Sequence, residues 1–312
     1  MLELVSNSAA AGKTQLLYLL IASVLLPPSP VSFDTRQNTP PKPAGAVVVI
    51  DTDNRFEVER LAQIVSSRHS AASTTSDNAG DNQYPHIVLH ALQHVHILRP
   101  QSLASFLATL QQLPEYLLGL KQHSSPHRPL SLLVIDSMTA FYWTERSEQE
   151  MTHLSSDGHE RHQQYDRNPY SDVVSAIKHL QLTFGCPIVA TSWSLSDSKA
   201  NPSGSSMVTA NPPPSARPLL PGVWNSCVTA RLLVFRESVR KFPPGLSTEH
   251  AERDRGQRQE VVNRSRFRAD VDWWGSEGWP EALKEGLRKD ASLRAFGFVI
   301  QEEGASIDEG YP

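Results

Sequence analysis

Seven short apolar runs, each four to seven residues long and most of them followed by a stretch with helical spacing, constrain this chain more than any other feature. They are Leu2–Val5, Ala46–Ile50, His94–Leu98, Leu130–Ile135, Pro187–Thr191, Thr229–Phe235 and Phe296–Ile300. Runs rich in Val, Ile and Leu with little alternation belong to strands buried on both faces, which is the condition of a parallel sheet covered by helices. Helices are expected over Lys13–Leu26, Phe56–Ser67, Ser102–Leu120 and Ser171–Phe184. Strand and helix in alternation predict an α/β fold, a doubly wound and mostly parallel sheet with helices on both faces. No repeat of fixed period is visible, which argues against solenoids and propellers.

At 312 residues and 39% hydrophobic content the chain can bury a large core. Its net charge of −4 gives no global positive field, so any contact with nucleic acid has to come from a local patch. The two cysteines, Cys186 and Cys227, lie in apolar runs, which argues against a disulfide framework and for a reducing compartment. Leu16–Leu26 has the outline of a signal peptide, but it is short for a bilayer and runs into Pro27 and Pro28, so a buried helix is expected. The domain reading is a core over 1–235 with disordered insertions near 70–83, 145–168 and 194–222, a charged mobile segment over 236–270, and a segment over 271–312 that returns a last strand to the core.

Chemistry concentrates at the ends of the apolar runs. Ala11-Gly12-Lys13-Thr14 follows the first strand and opens a helix, the context in which backbone N–H groups and a helix N-terminus cradle phosphate oxygens. Lys13 would neutralise phosphate charge and the Thr14 hydroxyl would ligate Mg²⁺. The first glycine of the phosphate-loop pattern is replaced by Asn7, a residue that tolerates left-handed backbone angles and so allows the loop to close. The plain alternative is a chance Gly-Lys-Thr at a helix start. Leu130–Ile135 ends in Asp136-Ser137, and in a parallel sheet that carboxylate faces the same crevice as Thr14. A second strand ends in Asp51-Thr52-Asp53, either of whose carboxylates would polarise a water or cap the next helix.

The phosphate loop continuing into Gln15-Leu16-Leu17-Tyr18, then Ile50-Asp51-Thr52-Asp53, then Val134-Ile135-Asp136-Ser137 running into Ala140-Phe141-Tyr142-Trp143, resembles the eukaryotic RecA-like recombinase paralogues over roughly Leu2 to Phe235. The resemblance implies a RecA-like P-loop NTPase core. It implies ATP held by Asn7, Ala11, Gly12, Lys13, Thr14 and Gln15, and Mg²⁺ held by Thr14 and Asp136. Asp53 falls where active recombinases of this superfamily place a catalytic glutamate. It is one methylene shorter, and because a misplacement of about 1 Å costs on the order of a hundredfold, weak or absent hydrolysis is expected. Trp193 stands where the family often has a phosphate-sensing glutamine, and an indole offers one donor only. Full recombinases carry an N-terminal helical domain that is not seen ahead of Leu2. The expected role is therefore a nuclear accessory subunit of homologous recombination. It would assemble with other recombinase paralogues as a hetero-oligomer and meet single-stranded or branched DNA, with no membrane part.

Between Arg231 and Arg268 ten Lys or Arg stand against five Asp or Glu, and Arg264, Arg266 and Arg268 alternate so that an extended strand would present all three to successive phosphates. The competing reading is a solvated charged segment. His86, His90, His94 and His96 invite a metal reading, yet no Glu or Cys accompanies them in a ligand pattern, and a surface run of histidines is expected. Trp273, Trp274 and Trp279 are read as packing or partner-contact residues.

Overall fold

Every residue of Ala46–Asp51 is buried, and its alternate side chains enter different cores: Val47 and Val49 one, Val48 and Ile50 the other. This is the two-faced burial that the continuous apolar runs predict. The computed structural model of the chain describes residues 1–26, 44–73, 84–119, 123–155, 168–195, 217–236, 245, 247–263 and 266–308. In chain order the elements are β1 (Leu2–Ser6), α1 (Lys13–Leu25), β2 (Ala46–Asp51), α2 (Val58–Ser73), α3 (Tyr84–Leu92), β3 (Val95–Leu98), α4 (Leu103–Leu118), β4 (Leu130–Asp136), α5 (Tyr142–Ser155) and α6 (Pro169–Phe184). They continue with β5 (Ile188–Leu195), β6 (Arg217–Pro218), β7 (Ala230–Arg236), α7 (Thr248–Asn263), β8 (Arg266–Asp272), α8 (Glu281–Lys289), β9 (Ala295–Gln301) and β10 (Gly304–Asp308).

The strands lie in the order β10-β9-β8-β7-β1-β5-β4-β2-β3, with β6 paired to β5 off this path. From β7 to β3 the neighbours are parallel, and from β7 to β10 they are antiparallel. The fold is the expected α/β class with a mostly parallel sheet, consistent with a RecA-like core. One face carries α1 with Leu17, Ile21 and Leu25 fully buried, and the other carries α4 and α6 around Phe106, Leu110 and Ile177. The ends of α6 are set locally. The Asn168 side chain accepts from Tyr170 N at 3.0 Å, Pro169 takes the first helical position, and Gly185 closes the helix at φ 61°.

The apolar helix over Leu16–Leu26 is core, as expected, and Cys186 and Cys227 are free and buried. Most of the three expected insertions lies outside the described residues. The described parts add to the expectation: α2 runs on to Ser73, α5 occupies Tyr142–Ser155, and β5 runs on to Leu195. The charged stretch 236–270 contains α7 and most of β8, and β8 with β9 and β10 extends the sheet by three antiparallel strands. Among the described residues no helix is long and apolar enough to cross a membrane.

Candidate phosphate-binding site

The order β1-β5-β4-β2 brings four strand C-termini side by side, and the register aligns Ser6 with Trp193, Leu4 with Thr191, and Asp51 with Asp136. The chain departs from β1 in one direction and from β7 in the other, so these ends border the crevice where open α/β sheets take ligands. The loop over residues 7–12 then turns into α1. Two of its residues have left-handed backbones, Ala10 at φ 53° and Gly12 at φ 93°. Asn7 does not, so the loop closes through Ala10 rather than through the residue expected to supply that turn. Successive amides in such a turn form a concavity suited to an anion.

Lys13, Thr14 and Asp136 meet as the sequence suggested. The Thr14 hydroxyl donates to Asp136 Oδ2 at 2.9 Å, and the Thr191 hydroxyl donates to Asp136 Oδ1. Burial pushes the Asp136 carboxyl up, opposed by these two hydrogen bonds. The Lys13 ammonium donates to the Ser6 hydroxyl and sits 4.9 Å from the centre of the Trp193 ring. Burial lowers its pKa to about 8, resisted by the negative charges of Asp136 and Asp53. The Trp193 indole is thus a cation–π cap on the loop lysine.

The two acids after β2 separate cleanly. Asp51 accepts from Arg55 N at 3.0 Å and Phe56 N at 3.1 Å and pairs with Arg99 Nε at 3.0 Å, so it organises the turn into α2. Asp53 accepts from Ser137 Oγ at 3.3 Å, and burial raises its pKa, opposed first by the Arg55 charge. Gln15 points away from this cluster, its Oε1 accepting from Arg60 Nε at 3.3 Å. Ser6, Thr191 and Arg60 were not singled out from sequence. Thr191 and Ser192, two buried hydroxyls in an otherwise apolar strand, were the signal available.

The donor set of one ammonium, one hydroxyl and one carboxylate at the mouth of a backbone concavity fits a phosphate chain with Mg²⁺: Lys13 for phosphate oxygens, Thr14 and Asp136 for the cation. The departures are Asn7, Asp53 and Trp193.

The other candidates fall elsewhere. Arg264 lies outside the described residues. Arg266 pairs with Asp308 of β10 at 3.2 Å and Arg268 with Asp270 of its own strand, while Phe267 between them is buried. Arg231, counted in the basic stretch, is inside the protein. Trp279 is buried with its indole donating to Thr229 O at 2.7 Å, and Trp274 lies on the Arg231 guanidinium, so both serve packing.

The histidine run is not a surface feature throughout. α3 ends at Leu92, so His94 leaves the helical face of His86 and His90, and His94 and His96 are both buried. The Ser125 hydroxyl lies 2.9 Å from His94 Nδ1 and 2.9 Å from His96 Nε2. Among the described residues no group of three His, Cys, Asp or Glu is placed to hold a metal. Burial lowers His94 to about 4 and lowers His96 as well. A histidine whose folded pKa lies below its unfolded value of about 6.5 contributes stability that is full above that pH and is lost as the unfolded chain takes up the proton first. The urea midpoint is therefore expected to fall from pH 6.5 toward pH 4, and less steeply in His94→Gln. Equal slopes in parent and variant would contradict this.

A family model described as the Shu complex component Psy3, DNA-binding, matches residues 40–199, just over half of the 312 residues. The match spans β2 to β5 with Asp53, Asp136, Thr191 and Trp193, while the phosphate loop lies before it.

Proposed function

The chain belongs to the Psy3 family of Shu complex components, and from that premise we propose that it is an accessory subunit for DNA repair by homologous recombination whose phosphate loop binds ATP with Mg²⁺. In this reading it acts in the nucleus, joins other recombinase paralogues as a hetero-oligomer, and assists a recombinase on single-stranded or branched DNA. The same reading takes Asp136-Ser137 followed by Ala140-Phe141-Tyr142-Trp143 as a likeness to the second X-ray-repair-cross-complementing protein. The observation that carries the nucleotide part is the 2.9 Å contact between Thr14 and Asp136, residues 122 apart in sequence, beside the Lys13 ammonium. Local packing alone gives no reason for a hydroxyl, a carboxylate and an ammonium to converge on a backbone concavity.

Lys13 would bind phosphate oxygens, Thr14 and Asp136 would hold the cation, and Asp53 would sit behind them on Ser137. Bound Mg²⁺ would supply charge neutralisation across the phosphates. Asp53 is too short to be relied on as a base, so hydrolysis is expected to be weak. DNA contact is proposed for the arginines of β8. Arg266 and Arg268 reach phosphates there only by loosening their pairs with Asp308 and Asp270, which makes that contact modest on its own.

A second reading, a nucleotide-free scaffold, is favoured by one observation: Lys13 already has an intramolecular hydroxyl and an aromatic face as partners. Titration calorimetry with Mg²⁺-ATP, on the parent and on Lys13→Ala with a partner paralogue present, separates the two. Binding in the parent that weakens by about tenfold or more in the variant supports the ATP reading, since a charge-assisted contact contributes roughly 1.5–3 kcal/mol. No heat of binding in the parent at any accessible concentration leaves the scaffold.

A further inference from the structure

The C-terminal antiparallel strands do more than widen the sheet. They close over the start of α1, and Gly12 records how tightly. A Cβ on Gly12 would stand 3.0 Å from Phe267 Cδ1 and 3.0 Å from both Cε2 and Cζ of Phe298. Phe267 and Phe298 are directly opposite in the β8–β9 ladder, and their rings stack at 5.2 Å with 21° between planes. Both are buried in the same core as Leu16 and Leu17 of α1. The left-handed residue that shapes the phosphate loop therefore rests its Cα against two rings delivered from residues 255 and 286 positions later in the chain.

The far end of the same strands is tied to the same helix by a second contact. Arg60 of α2 donates to Gln301 O at 2.6 Å, at the end of β9, and to Glu302 O in the turn that follows, and its Nε donates to Gln15 Oε1 at 3.3 Å in the first turn of α1. Gly304, which opens β10, lies so close to α2 that a Cβ there would be 3.0 Å from Ile64 Cγ1. One guanidinium and two close glycine approaches bind the hairpin, α2 and the loop helix into one unit.

We propose that Phe267, Phe298 and Arg60 are positioning residues for the phosphate loop, so that the loop presents its amides to an anionic ligand only while the β8–β10 extension is docked. None of the three belongs to the Lys13, Thr14 and Asp136 set, and they act through Gly12 and Gln15. The proposal rests on the nucleotide reading for the identity of the ligand, but the mechanical coupling stands apart from it. Coupling is reciprocal, so nucleotide bound at Lys13 would in turn hold the hairpin down.

Site-resolved hydrogen exchange on the full-length chain tests this with Arg60→Gln, which alters a surface tie, and Phe298→Leu, which keeps an apolar side chain against Gly12. Expected in both is exchange faster by about fivefold or more at amides of residues 8–14, with the amides of Leu132–Ile135 in β4 unchanged, since local opening is separable from global unfolding. Mg²⁺-ATP affinity should fall by about fivefold in Arg60→Gln, at the lower end of typical coupling between sites. Unchanged loop exchange in Arg60→Gln would overturn the proposal, and so would a rise in β4 that matches the loop, because the residues would then be ordinary core. If Phe298→Leu does not fold, Arg60→Gln decides alone. If the parent binds no Mg²⁺-ATP, the nucleotide reading falls while the exchange data still decide the coupling.

Discussion

Arg231→Ala is expected to remove about 3–5 kcal/mol of folding stability, the usual loss when one member of a buried ion pair is deleted and its partner stays behind. Arg231 lies on β7, across from Glu3 of β1 on one side and Asp272 of β8 on the other. Its Nε meets Glu3 Oε2 at 2.7 Å and its Nη1 lies 3.5 Å from Asp272 Oδ2. Their side-chain exposures are 1% for Arg231, 0% for Glu3 and 1% for Asp272, so no water would solvate the two carboxylates that the alanine variant leaves. The Glu3 carboxylate also accepts from Ser192 Oγ at 2.6 Å and from Trp224 Nε1 at 2.8 Å, and Trp274 covers the guanidinium at 4.8 Å. These contacts fix the junction where the parallel half of the sheet becomes antiparallel. Arg231→Lys keeps a charge but loses the planar fork and the stacking, and should fall between parent and alanine. Urea unfolding followed by far-ultraviolet dichroism measures the series. A loss under about 1 kcal/mol for Arg231→Ala would mean that the cluster is hydrated and the argument fails.

The same residue shows where a reading of sequence stops. The apolar runs were legible because a strand buried on both faces has to be apolar throughout, and β1, β2, β4, β5 and β7 lie within a few residues of the runs that announced them. β8 was not, since Arg266-Phe267-Arg268-Ala269-Asp270 reads as a solvated charged segment. Its charges are neutralised by partners that sequence does not place beside it: Asp308 for Arg266, and Arg231 for Asp272. The expected surface run of histidines also failed in part, since α3 stops at Leu92 and His94 and His96 turn into the interior. Lys13, Thr14 and Asp136 were legible because each stands where an apolar strand gives way to a turn or helix, and a parallel sheet gathers such ends. Thr191 and Ser6 follow only from register, which sets Leu4 against Thr191 and Ser6 against Trp193. Phe267 and Phe298 reach Gly12, and Arg60 reaches Gln15, by tertiary packing alone and left no pattern near the loop.

Register at the other end of the site rests on Gly45. It is buried just before β2, and a Cβ there would stand 2.1 Å from Ser131 Oγ and 2.3 Å from Ser131 Cβ. The cause is a bulge: Ala46 faces Leu130 and Val47 faces Leu132, so Ser131 is the extra residue of β4 and its side chain stands over the Gly45 backbone. From that point the ladder runs unbroken to the pairing of Asp51 with Asp136. Gly45→Ala should therefore lose about 1–3 kcal/mol, the range for forcing extra volume into a packed site. Rotating the Ser131 hydroxyl away would not relieve it, since the Cβ itself collides. Ser131→Ala in the Gly45→Ala background should restore little. Ser131→Gly should restore most of the loss, less the roughly 0.5–1 kcal/mol that a glycine costs inside a strand. The non-additivity is read from a double-mutant cycle on the urea midpoints. Rescue by Ser131→Ala equal to that by Ser131→Gly would place the clash at the hydroxyl. Rescue by neither would mean that β2 tolerates the methyl by shifting against β4, in which case Mg²⁺-ATP affinity in Gly45→Ala should fall with stability, because Asp51 and Asp136 would no longer be held across from one another.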